Sequence, residues 1–159
     1  MSFDEWMLAL HVLSAFALVT GVIFFWVLIV AVRRTDTPEA TLRLGPLTRI
    51  AEAAVGIGMG GTIIFGLWLA FSYGNYDVWD WWILIALVLW FVAGGLGQRA
   101  NDSYTDSVKK AQELQASGQT GPNAELVALN RNQSGVVLQA VITLVVLLII
   151  LDMIWKPGA

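Results

Sequence analysis

Cysteine is absent from this chain of 159 residues, and histidine occurs once, at position 11. Without thiols there is no disulfide, no thiolate metal site and no iron–sulfur cluster. A lone imidazole completes neither a zinc triad nor a nucleophile–base pair, so no metal centre is expected from this chain by itself. Charge is scarce as well. Charged residues make up 13% of the chain and the net charge is -3, which leaves no basic face for nucleic-acid phosphates. The opening MSFDE is acidic where a signal peptide is basic, and the apolar run after it far exceeds the ~7–15 residues of a signal core. The first apolar segment therefore reads as a retained membrane helix.

What the chain has in plenty is apolar surface. Hydrophobic residues make up 57% of it, more than a soluble domain of this length can hide. Trp6 to Val32 is a run of 27 residues without a formal charge, closed by Arg33 and Arg34. At 1.5 Å rise per residue a helix of that length covers about 40 Å, more than the ~30 Å hydrocarbon core of a bilayer. Three further apolar segments follow. The expected fold is an all-α four-helix transmembrane bundle forming one domain over residues 1–159, with spans at about 6–32, 46–71, 79–97 and 135–155. Between the third and fourth spans, residues 98–134 are polar and rich in good helix formers, with a turn signal at Gly118–Pro122. They predict a long helical hairpin in water, the third helix running on outwards and the chain returning as an extension of the fourth.

Four spans put both termini on one side. Of nine basic residues, eight (Arg33, Arg34, Arg43, Arg49, Arg99, Lys109, Lys110 and Arg131) fall in the connections on the other side, and only Lys156 lies with the termini. The positive-inside rule then places both termini outside and the hairpin in the cytoplasm. Trp6, Trp68, Trp79, Trp81, Trp82 and Trp155 map to the outer boundary as an aromatic belt, with Trp26 towards the inner side and Trp90 mid-span.

Ionisable residues inside a span are costly and mark candidate sites. His11 lies near the outer end of the first helix, Asp152 near the outer end of the fourth, and Glu52 near the inner end of the second. The depth difference of roughly 15–20 Å separates Glu52 from His11, so they form no common site. Asp152 is at the depth of His11 and is the candidate group to orient its imidazole. The alternative is that His11 bonds a backbone carbonyl while Asp152 reaches the interface. Arg49 and Glu52, three residues apart, are expected to form a cytoplasmic-side ion pair. Gly56 and Gly60 make a small-xxx-small pair and are expected at a helix–helix contact. Gln139 and Thr143, four apart on the last helix, are expected to hydrogen-bond to neighbouring helices. The run GIGMGG is no phosphate loop, because it lies in an apolar span without a preceding strand or a following Lys-Ser/Thr.

The stretches LHVLSAFALVTGVIFFW, FGLWLA and ALVLWFVAGGLG, with an apolar last helix ending in KPG, resemble a group of small four-helix bacterial membrane proteins. The group includes the J-type protoporphyrinogen oxidases and CopD-like copper-resistance proteins; the uncharacterised integral membrane branch is the nearest in pattern. The resemblance implies a bacterial inner-membrane protein and matches His11 to the functional first-helix histidine of the oxidases; His11 is the candidate residue to bind a tetrapyrrole, as axial ligand if it is haem b or as a contact if it is a porphyrin. The oxidases' third-helix lysine has no counterpart in WDWWILIALVLW, which turns the expectation towards a non-catalytic tetrapyrrole-binding protein. A divergent oxidase using His11 alone, and an accessory subunit of a larger membrane complex, are the alternatives. One histidine and scattered methionines argue against copper transport. Ligation by two histidines would require a homodimer or a partner protein, besides the lipid bilayer itself.

Overall fold

A computed structural model describes residues 2–72, 77 and 79–157. Six helices carry the chain: α1 (Phe3–Val32), α2 (Pro38–Leu42), α3 (Gly45–Ser72), α4 (Trp81–Ala116), α5 (Ala124–Asn130) and α6 (Gln133–Trp155). No strand occurs among the described residues. The long helices α1, α3, α4 and α6 each carry a stretch apolar enough to cross a membrane. The protein is an all-α four-helix bundle and a multi-pass membrane protein.

The helix limits follow from local chemistry. α1 starts ahead of the apolar run because Ser2 and Glu5 form a capping box, and Asp4 and Glu5 sit at the positive end of the helix dipole. α2, in the segment expected to be a plain connection, is set by Thr37 as N-cap and Pro38 in the first turn. α4 runs for 36 residues, and its polar second half projects beyond the apolar layer. Gly118, at φ 76°, makes the hairpin turn.

The returning arm departs from the expected continuous helix. It breaks at Arg131–Asn132, where Arg33 Nη1 donates to both carbonyls (2.9 and 3.3 Å) and the Asn132 side chain caps α6. The end of α1 thus satisfies backbone groups that would otherwise continue a helix. Ala111, Leu114 and Leu126, with Leu42 against them, form a small apolar core in the hairpin.

The four long helices divide into two pairs. α1 packs antiparallel along α3, and α4 along α6, while α1 touches α6 lightly and α3 barely meets α4. Besides the Arg33 bonds, hydrogen bonds tie the pairs together along their apolar stretches. Gln139 Nε2 donates to the Val22 carbonyl (3.1 Å) and Trp26 Nε1 to Thr143 Oγ1 (2.9 Å), so Gln139 and Thr143 do bond to a neighbouring helix as expected. Trp90 Nε1 donates to the Met59 carbonyl (3.1 Å), bridging α4 to α3 at mid-depth.

Candidate functional site

The seam between α1 and α3 is built from small residues at helical spacing. Ser14, Leu18 and Gly21 on α1 face Gly61, Gly58 and the Ala51–Val55 turn on α3. A Cβ on Gly58 would run into the backbone of Leu18, and one on Gly61 into the Ser14 hydroxyl. The expected pair, Gly56 and Gly60, is not this contact: a Cβ at either position meets nothing within 4 Å. At 3.6 residues per turn Gly56 lies about 200° round the helix from Gly58, and the glycines that meet α1, Gly58 and Gly61, are three apart instead of four, so the contact uses another face and another spacing.

His11 lies in the same seam, one step further out. Its Nδ1 is 3.1 Å from the carbonyl oxygen of Thr62. A carbonyl only accepts, so Nδ1 carries the hydrogen and the neutral ring presents Nε2 as a bare lone pair. Nε2 has no hydrogen-bond partner among the described residues. Gly66 makes the ring position available, since a Cβ there would lie 2.9 Å from His11 Cε1 and 3.2 Å from Nδ1.

Two expected partnerships are absent. No hydrogen bond or ion pair joins His11 to Asp152; the Thr62 carbonyl orients the ring instead, and one carboxyl oxygen of Asp152 is buried without a partner among the described residues. Arg49 and Glu52 form no ion pair either. Both are exposed near the hairpin end of α3, where two long chains gain little from being held together. Ion pairs on the hairpin side include Arg43–Glu39 (2.6 Å) and Lys110–Glu125 (2.6 Å), with Glu113 at 4.0 Å from the same lysine.

A second feature has no counterpart in the sequence reading. Because α3 barely meets α4, a cavity of about 430 Å³ opens between the helix pairs. Leu18, Met59, Trp90 and Val146 line its deep end, and Tyr104, Asn130 and Glu52 its hairpin end. Gly56 and Gly97 also border it, which accounts for the open space around them. His11 is outside this cavity. Neither a protein-family model, nor a curated protein, nor a solved structure matches this chain.

Thr62 and Gly58 escaped the sequence reading, as did Tyr104 and Asn130. Thr62 acts through its carbonyl, which any residue has. The glycines were visible, but six on one helix offer several faces. Asn130 lies in an ordinary polar stretch and becomes distinctive only once α5 folds over the end of α1.

Proposed function

We propose that this is a bacterial inner-membrane protein, both termini outside and the hairpin in the cytoplasm, that binds haem b or a porphyrin through His11 without catalysing its turnover. The observation that carries this reading is the fixed tautomer of the ring. With Nδ1–H held by the Thr62 carbonyl, Nε2 is unprotonated, oriented and unpartnered, as an axial ligand to haem iron needs to be. The eight-to-one division of basic residues supports the orientation, and the lack of a lysine in the third span supports a binding role over an oxidase.

Each chain offers one imidazole, so the iron would be held on one face only unless a second copy or a partner protein supplies the other. The test is haem titration of detergent-purified protein. Wild type is expected to develop a Soret band, His11→Ala to lose it, and Asp152→Asn to keep it, since Thr62 and not Asp152 holds the ring. Wild-type protein that stays colourless with haem and with porphyrins would end the cofactor reading and leave His11 as a residue that fastens α1 to α3.

A further inference from the structure

We propose that the cavity between α3 and α4 is a binding site for a single-chain amphiphile with an uncharged, hydroxyl-bearing head. Its volume of about 430 Å³ falls in the ~300–1,000 Å³ range of small-molecule sites. Leu18 and Val32 both border it, and 14 residues of helix separate them, so it runs for about 21 Å along the bundle. Apolar side chains line most of that length, which suits a hydrocarbon tail. Lipid tails are as apolar as leucine, however, so selectivity has to come from the head.

The head end is marked by two buried polar atoms without partners. Asn130 is only 5% exposed, and its Nδ2 donates to the Thr35 carbonyl (3.4 Å), Thr35 Oγ1 (3.0 Å) and Thr41 Oγ1 (3.0 Å). Both threonine hydroxyls also donate to carbonyls of their own turns, Thr35 to Val32 and Thr41 to Thr37. The Thr35 carbonyl only accepts, so the amide is fixed with Nδ2 towards it, which leaves Oδ1 of this cavity-lining residue buried without a donor. The second atom is the buried Tyr104 hydroxyl, also on a cavity-lining residue; the Thr48 side chain is near it, but no hydrogen bond of good geometry forms. A buried polar group left unpaired is costly, so each calls for a partner that a ligand can supply.

The charged residues bordering the cavity are one arginine, Arg33, and one glutamate, Glu52, so it favours neither ionic sign. An alcohol is the simplest group that donates to Asn130 Oδ1 and accepts from Tyr104. A carboxylate or phosphate brings no proton to Oδ1, and a quaternary ammonium brings neither donor nor acceptor. Entry is sideways from the bilayer, where α3 and α4 barely meet.

The probe is radiolabelled 1-monooleoylglycerol, with oleate as its charged counterpart, added to the detergent-purified full chain. Wild type is expected to bind monooleoylglycerol saturably at one per chain, and oleate far more weakly. Gly56→Leu points a side chain into the open cavity and should abolish saturable binding. Tyr104→Phe removes a hydroxyl whose one protein neighbour of hydrogen-bonding kind is the Thr48 side chain, so thermal stability should fall little while affinity falls roughly three- to tenfold. Should Gly56→Leu fail to fold, Tyr104→Phe decides alone. His11→Ala should bind monooleoylglycerol as wild type does, which separates this site from the imidazole. No saturable binding by wild type would overturn the proposal and assign the two buried groups to water. Full binding by the Tyr104 variant, or equal binding of oleate, would overturn it too.

Discussion

Along α1 and α3 the glycines are filled from the other side: the Leu18 backbone lies against Gly58, the Ser14 hydroxyl against Gly61 and the imidazole of His11 against Gly66. Across α3 and α4 they are open, with nothing near Gly56 or Gly97 and only Met59 Cε, at 3.5 Å, near Gly94. One helix, α3, takes part in both arrangements. A small residue in a membrane helix permits close approach, and it becomes a contact only where another backbone is brought up to it. Where none is, the same residue widens a cavity.

That contrast predicts opposite outcomes for one substitution on the two faces of α3. Gly58→Leu is expected to lower stability by about 3 kcal/mol or more, because the clash is with Leu18 backbone and cannot be relieved by a rotamer change. Gly56→Leu, on the open face, is expected to stay within ~0.5 kcal/mol of wild type. Thermal unfolding in detergent reads both, and equal losses would erase the distinction between seam and cavity.

A smaller effect is expected of Gly66→Ala. The added methyl presses on the imidazole, which can swing away, so the cost is about 1 kcal/mol, with weakened haem uptake as the ring loses its Thr62 bond. Retention of full haem affinity would show that the Thr62 carbonyl does not set the ring. Between the helix pairs, Trp26→Phe and Gln139→Leu each remove one interhelical hydrogen bond. Such bonds average ~0.6 kcal/mol in membranes, so either variant should shift the unfolding midpoint slightly and the pair together additively. Lys110→Ala breaks a partly exposed ion pair with Glu125 and is expected to move the midpoint least of all at moderate salt.

The spans were legible because a long apolar run in this composition has few other uses, and their inner ends because arginines follow them. Limits set by caps were less so. Asp4 and Glu5 look like residues outside a helix until Ser2 is seen to close the box. The break at Arg131–Asn132 depends on Arg33, nearly a hundred residues earlier, and no local pattern announces it. Of the candidate sites, His11 stood out as the only histidine. Its partner did not, because a backbone carbonyl leaves no mark in a sequence. Asp152 and the Arg49–Glu52 pair were inferred from depth and spacing, which bring groups within reach without making them bond. The cavity was illegible for a related reason: it is defined by two helices failing to meet.

Thiol labelling tests that failure most directly, since the chain has no cysteine of its own. Single Gly56→Cys and Ser14→Cys variants would be treated in membranes with a small uncharged maleimide and counted by mass. The Gly56→Cys thiol is predicted to react fully in the native protein, and the Ser14→Cys thiol, closed in against Gly61, only after denaturation. A Gly56→Cys thiol as protected as that of Ser14→Cys would mean that α3 and α4 are packed together and that the cavity between them does not exist in the membrane.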